Sequence, residues 1–329
     1  MLLDSHHRAI RDLRISLTDR CNFRCFYCLP NGEPTKAGRS EVLTFEEIEK
    51  AAAIFIELGI EKIRLTGGEP MIRKNVPVLV EKLAQLKPRL KDIALTTNGF
   101  DLPKHAADLK AAGLDRITLS LDSLDRENFK NITGVDALND VLVAIEAARK
   151  FGFDPVKINA VIVRGRNDHE IVSLADFARK NSIAMRFIEY MPLDSGHEWD
   201  RKMVVSGREI FETINSEFPL ILKDAKRGSG TSRNYLFGDG SSGEIGIIAP
   251  VTDMFCGACS RIRLTADGQI RTCLFSTKEH DLRRFLRSGA SADEISEFIR
   301  SVTLTKEARH TINDAQFVHP SRSMSFIGG

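Results

Sequence analysis

The sequence predicts an α/β fold: an open, partial parallel βα barrel of about six units, followed by a smaller C-terminal α+β module. Three observations predict it. Short β-branched runs alternate with amphipathic helical stretches through the first two-thirds of the chain. The strand candidates start roughly 25–50 residues apart, the spacing of βα units. After Met191 the alternation gives way to loops, hairpin signals and isolated helices.

The strand candidates are Leu13–Thr18, Lys62–Thr66, Ile93–Thr97, Arg116–Leu121, Val156–Val163 and Met185–Glu189. Six units fall short of the eight that close a full barrel, so an open barrel fits the count, with a doubly wound sheet as the competing architecture. Thr44 and Glu47 form a capping box ahead of EIEKAAAIFIEL, and Gly59 can end that helix. Asn167 and Glu170 are read in the same way ahead of IVSLADFARK, and Asp140–Lys150 is an amphipathic run ending near Gly152. Beyond it, Pro192–Lys202 reads as a loop, and Ser206 with Glu209 caps a short helix. Hairpin strands are expected around Asn234–Phe237 and Glu244–Ile248, and a last helix starts near Ser291 with Glu294 completing its box. The expected division is residues 1–220 for the barrel and 221–329 for the module.

Composition narrows the function classes. With 42% hydrophobic residues the chain can bury a large core, and a net charge of +2 argues against a global nucleic-acid footprint. No run approaches the roughly 18 apolar residues of a membrane span, and no signal-peptide pattern opens the chain. A soluble, cytoplasmic protein is expected. In that reducing compartment clustered cysteines point to metal or redox chemistry more than to disulfides.

All six cysteines fall into two constellations. Cys21, Cys25 and Cys28 have C-x3-C-x2-C spacing, in a loop at the C-terminal end of the first strand, where barrel enzymes place their chemistry. Cys256, Cys259 and Cys273 have C-x2-C-x13-C spacing. Thiolates suit iron–sulfur clusters and zinc. A [4Fe–4S] cluster usually takes four, so three local thiolates leave one coordination position open. Structural zinc, with a fourth ligand from elsewhere in the fold, is the competing reading. It is weaker for the first triple and more serious for the second, whose spacing is close to a zinc ribbon.

The first triple, with Phe26-Tyr27 ahead of its last cysteine, and the segment Leu65-Thr66-Gly67-Gly68-Glu69-Pro70 resemble the radical S-adenosylmethionine (SAM) superfamily. Adjacent glycines let a backbone approach a ligand closely. The resemblance narrows with IRDLRISLTDRCNFRCFYCLP, KIRLTGGEP, Thr96–Gly99, Ser120–Asp125, Arg186–Met191, CGACSRIRLTADGQIRTCLF and the terminal Phe326-Ile327-Gly328-Gly329. In this order, over nearly the whole chain, these are similar to the GTP 3′,8-cyclases, which open molybdenum cofactor biosynthesis. Leu29 and Phe326 stand where methionine and tyrosine are common in that family, so any role for the tail hydroxyl is in doubt.

The resemblance implies a barrel of radical SAM type with two [4Fe–4S] clusters, one on Cys21, Cys25 and Cys28 and one on Cys256, Cys259 and Cys273. It implies SAM contacts from Tyr27, Gly68, Ser120 and Met191. GTP contacts would come from Arg14, Arg64, Thr96, Lys157 and the stretch Arg261, Ile262 and Arg263. Arg14, Arg261 and Arg263 would take part in the chemistry, with Gly328 and Gly329 as a flexible tail reaching into the active site. The implied reaction takes the ribose 3′ hydrogen with a 5′-deoxyadenosyl radical and joins C3′ to C8 of guanine. An electron and a proton then give 3′,8-cyclo-7,8-dihydro-GTP. The second cluster would pin the base, because ring closure needs both carbons held in one geometry. Implied partners are an electron donor such as flavodoxin or ferredoxin and the downstream cyclic pyranopterin monophosphate synthase, with the chain a monomer or homodimer. No nucleic-acid or membrane partner is expected. The competing functions are a peptide-modifying radical SAM enzyme with an auxiliary cluster, and a non-catalytic zinc protein that binds nucleotide.

The residues themselves support an anion site. Arg14, Arg64 and Lys157 alternate with apolar neighbours on strands one, two and five, so they share a face opposite those neighbours. A parallel sheet covered by helices should carry few such charges.

Overall fold

The computed structural model describes residues 1–29, 37–194, 196, 198–224 and 227–328. Six parallel strands run in sequential order: β1 (Asp12–Ser16), β2 (Lys62–Thr66), β3 (Asp92–Thr97), β4 (Arg116–Ser120), β5 (Lys157–Ile162) and β6 (Ala184–Glu189). A doubly wound sheet would reverse direction about a central strand. This order winds one way only, as in a barrel, and it stays open.

Both edges of these six strands are extended by later parts of the chain. β7 (Leu220–Leu222), β8 (Arg233–Phe237) and β9 (Glu244–Ile248) form an antiparallel meander, and β9 also pairs in parallel with β6. On the other side β10 (Arg261–Leu264) pairs in parallel with β1, followed by antiparallel β11 (Gln269–Arg271) and β12 (His280–Asp281). Among the described residues one sheet of 12 strands results, and the second cysteine triple flanks the strand next to β1.

Each barrel strand separates two environments by its period of two. Leu13, Ile15, Ile63, Leu65, Ile93, Leu95, Ile117, Leu119, Ile158, Met185 and Phe187 point outward and are buried beneath helices. The helix Phe45–Glu57 shows how that cover forms. Thr44 and Glu47 complete their capping box, the helix buries Ile48, Ala51, Ala52, Ile54, Phe55 and Ile56, and Gly59 follows with φ +114°. Truncating Phe55 to alanine would cost about 3–5 kcal/mol, the usual range for a buried aromatic. Ser291 and Glu294 likewise complete their box ahead of Ala292–Leu304.

The box expected at Asn167 and Glu170 does not form. Asn167 instead accepts from the Val163 amide (2.8 Å) and donates to the carbonyls of Asp122 (2.8 Å) and Val161 (2.9 Å). Glu170 accepts from Ser123 Oγ (2.7 Å), the Leu124 amide (2.7 Å) and Asn128 Nδ2 (2.6 Å). Both side chains tie the ends of β4 and β5 together, and helix Ile171–Asn181 follows a single 3-10 turn. Among the described residues no helix is long and apolar enough to cross a membrane.

Candidate functional site

The inward face of the barrel lines a cavity of about 570 Å³ onto which both cysteine triples open. The strands deliver its chemistry in rows. Arg14 on β1 lies beside Arg263 on β10 and Arg64 on β2, one register position in each case. Thr96 on β3 pairs with Thr118 on β4, which pairs with Lys157 on β5. Asn159 on β5 pairs with Arg186 on β6. Among the described residues, Arg14, Arg64, Lys157, Arg186 and Arg263 form no ion pair with a carboxylate. Arg116, by contrast, is held by Asp92 (Nε to Oδ1, 2.5 Å).

Burial and neighbouring cations push Arg14 down to about 10, Arg64 to about 9 and Lys157 to about 8, and hold Arg263 well below the usual arginine range. Positive charge gathered in this way, without a protein anion, is complementary to a polyanionic ligand, and arginine forks suit phosphate oxygens. Thr96 Oγ1 accepts from Arg64 Nη1 (3.0 Å), and Thr118 Oγ1 shares that nitrogen (3.2 Å), so both orient the guanidinium.

The first triple sits where the C-terminal ends of β1 and β2 meet. The Gly68 amide donates to the Thr18 carbonyl (2.7 Å) and the Glu69 amide to that of Arg20 (2.8 Å). The glycine pair thus lies flat against the cysteine loop. A Cβ on Gly68 would stand 2.1 Å from the Arg20 carbonyl oxygen, so no other residue fits without moving that loop. Glu69 is buried, accepts from the amides of Met71 (2.9 Å) and Asn98 (2.6 Å) and from Thr97 Oγ1 (2.7 Å), and is pushed up to about 7 by burial. Tyr27 donates to Asp122 Oδ2 (2.6 Å), and Asp122 Oδ1 accepts from the Val161 amide (2.8 Å). One carboxylate therefore joins the cysteine loop to β5.

All six cysteines are free thiols of intermediate burial. In the first triple burial raises Cys21 to about 11, Cys28 to about 12 and Cys25 well above the usual thiol range. Cys25 is raised further by the charges of Cys28 and Cys21, and Cys28 by that of Cys21. Among the described residues no three His, Cys, Asp or Glu side chains converge as ligands of one ion. The fit to a cluster is carried instead by the soft donor set and by the cavity onto which the three thiols open. Bound metal would draw the protons off such thiols. In the second triple burial raises Cys273, whereas at Cys259 the cations Arg261, Lys306 and Arg8 outweigh burial and hold the thiol low.

Lys157, at the start of β5, is not part of the cavity's lining, whereas Tyr27, Gly68, Ser120, Met191, Arg14, Arg64, Thr96, Arg261 and Arg263 all line it with the six cysteines. Ile262 does not. It is fully buried on the outward face, because strand alternation places it opposite Arg261 and Arg263, and only its backbone could face a ligand. Gly328 is reached by Arg263 Nη1, which donates to its carbonyl, so the tail enters the barrel beside Ser16 and Thr66. Gly329 lies outside the described residues. Sequence reasoning passed over Arg186, although it alternates with Met185 and Phe187 just as Arg14 alternates with its neighbours. It also passed over Asp122, Asn159, Lys306 and His310, which line the cavity too.

Cysteine triple, flat glycine segment and inward cations on an open barrel define the radical SAM class. Residues 15–178 match the family model described as Radical SAM superfamily, and residues 183–312 match Molybdenum Cofactor Synthesis C. A GTP 3′,8-cyclase of Streptomyces coelicolor is 45% identical over 100% of this chain and 96% of its own. One of Syntrophomonas wolfei is 43% identical over 100% of both. Among solved structures, Streptococcus suis SuiB bound to S-adenosylmethionine superposes with a TM-score of 0.65 at 14% identity, covering 96% of this chain and 76% of that one. Methylornithine synthase (PylB) reaches 0.50 at 20% identity, over 63% and 62%. The chain belongs to the GTP 3′,8-cyclase family.

Proposed function

We propose that this cavity converts GTP to 3′,8-cyclo-7,8-dihydro-GTP, the first step of molybdenum cofactor biosynthesis, and that the residues named above divide the work as follows. The single observation carrying the reading is the row Arg263, Arg14 and Arg64, without carboxylate partners, standing between two cysteine triples in one cavity.

Cys21, Cys25 and Cys28 would hold one [4Fe–4S] cluster, and Cys256, Cys259 and Cys273 the other. When bound, the first cluster and SAM together supply the radical that takes the ribose 3′ hydrogen. Everything else is binding and orientation by the chain. Tyr27, Gly68, Ser120 and Met191 line the same cavity as the first triple and would contact SAM, Tyr27 from beside Cys25 and Cys28 and Met191 from the side where it packs with Cys273. Arg14, Arg64, Arg186 and Lys157 would take the triphosphate, with Thr96 orienting Arg64. Arg261 and Arg263 stand beside the second triple, where the base would lie, and the backbone of Ile262 lies between them. Arg263 also holds Gly328, so the tail would close this side of the cavity and exclude water from the radical. Holding ribose and base in one geometry turns ring closure into a proximity problem the rigid barrel can solve.

On this reading residues 1–220 form the radical-generating barrel, and residues 221–329 bring the second triple and the tail to its edge. The enzyme would work in the cytoplasm, take electrons from a flavodoxin or ferredoxin, and pass its product to cyclic pyranopterin monophosphate synthase. The test is an anaerobic reaction of iron-reconstituted protein with SAM, dithionite and GTP, followed by mass spectrometry. The expected products are 5′-deoxyadenosine and an isomer of GTP, with no isomer from ATP. If 5′-deoxyadenosine forms without the isomer, the substrate assignment is wrong. If neither forms at full iron loading, the catalytic reading fails.

A further inference from the structure

Lys306 is a buried cation without a protein counter-charge. It is 4% exposed, and its Nζ donates to the carbonyls of Arg261 (2.9 Å) and Thr272. Arg261 lies two residues after Cys259, and Thr272 directly precedes Cys273. One ammonium therefore ties together the two chain segments that carry these cysteines. It forms no ion pair among the described residues. The neighbouring Glu307 turns to Thr272 Oγ1 instead (2.8 Å).

Arg8, another buried cation beside this triple, differs in this respect. Arg8 donates to the carbonyls of Cys256 (2.8 Å), Ala308 (2.9 Å) and Glu307 (2.6 Å), but its charge is matched by Asp4 at 2.6 Å, itself buried. Arg8 thus straps the Cys256 end of the Cys256–Cys259 segment in place as half of a neutral pair, whereas Lys306 brings net charge.

A buried ammonium with no anion is costly and rare. Its Nζ is fixed against the backbone of both cysteine segments, and it lines the cavity onto which Cys259 and Cys273 open. An oxidised cubane core held by three thiolates carries one net negative charge, and charge and hydrogen bonding around such a cluster set its potential. The geometry points to Lys306 as the counter-charge of the second cluster: a positioning residue that holds the Cys259 and Cys273 segments together and makes that cluster easier to reduce. The inference rests on the reading that the second triple binds a cluster.

The test is an electron paramagnetic resonance redox titration of the full chain, reconstituted anaerobically, with iron content measured alongside. Cys256→Ser, carrying one cluster, assigns the signals. The variants are Lys306→Met, Lys306→Gln, which keeps a hydrogen-bond donor without the charge, and Lys306→Arg. At the poise where the parent's second cluster is half reduced, Lys306→Gln and Lys306→Met should show a reduced-to-oxidised ratio lower by about tenfold, or 59 mV for one electron. The first cluster should be unmoved, and Lys306→Arg should restore the parent value. If Lys306→Met loads iron poorly, the glutamine and arginine variants still separate charge from scaffolding. An unchanged second-cluster potential in fully loaded Lys306→Gln overturns the proposal. A parent chain that takes up only one cluster fails in a different way, because it removes the second cluster itself.

Discussion

The two cysteine triples share a cavity but differ in the balance of charge around them. Beyond burial, a carboxylate raises each thiol of the first, Glu69 at Cys21, Asp122 at Cys25 and Asp194 at Cys28, with Arg24 opposing Glu69 at Cys21. In the second, Arg261, Lys306 and Arg8 lower Cys259, and at Cys273 Lys306 lowers what Glu307 raises. Negative surroundings resist an added electron and positive ones invite it. On the proposed reading the first site would suit giving an electron to SAM, and the second binding an anionic substrate and accepting charge. The cation row from Arg263 to Arg64 extends the positive side of this asymmetry across the barrel, so GTP would lie along the gradient between the triples.

The largest effect separates the triples outright. Cys28→Ser should abolish both 5′-deoxyadenosine and cyclised nucleotide. Cys256→Ser should retain first-cluster iron and SAM cleavage while losing the cyclised product, as read by iron analysis and mass spectrometry. Full cyclisation by Cys256→Ser would remove the second triple from the reaction. Next, Arg263→Leu takes one charge-assisted donor from the cation row. A loss of about tenfold to a hundredfold in kcat/KM for GTP is expected, from about 1.5–3 kcal/mol per such bond. SAM cleavage without GTP should be unaltered, and an unaltered kcat/KM would place GTP elsewhere.

These residues were not equally legible in the sequence. The barrel could be read because parallel strands between helices and a cavity alternate apolar and polar residues without interruption, as in Leu13, Arg14 and Ile15. The cysteines could be read from their spacing, and the cation row from charges on strands that should have few. Arg186 carried the same signal and was passed over. Arg8 and Lys306 carried none, since Arg8 reaches the Cys256 carbonyl across 248 residues and nothing local marks that contact. Asn167 and Glu170 show the opposite error. Their spacing matches a capping box, but stronger use for both side chains lies on β4 and β5, which local pattern does not reveal. The pairing of β9 with β6 and of β10 with β1 is equally non-local.

The tail offers a smaller effect on the second triple's side. Gly328 has φ +81°, and a Cβ there would stand 2.6 Å from Thr66 Oγ1. Gly328→Ala should displace the tail from Arg263 and lower turnover by about tenfold, with iron content unchanged, a penalty of the size expected for a strained residue at one contact. Parent-like turnover in this variant would show that the tail's approach to Arg263 is incidental.

The smallest effect is a pH dependence at Lys157 on β5. Burial first, then Arg186, Arg116 and Arg64, hold Lys157 down to about 8 in the free protein. Bound triphosphate favours the charged amine and so raises its pKa. Below about pH 8 the ammonium is present before and after binding, and affinity does not depend on it. As pH rises through 8 the free protein loses the proton that the complex retains, so binding must take one up and weakens with pH. The Kd for GTP should therefore rise several-fold between about pH 7.5 and 9, as measured by calorimetry. Lys157→Arg keeps its charge throughout and should bind evenly across that range. The same slope in both proteins would mean that Lys157 does not face the phosphates, leaving Arg14, Arg64 and Arg186 to hold them.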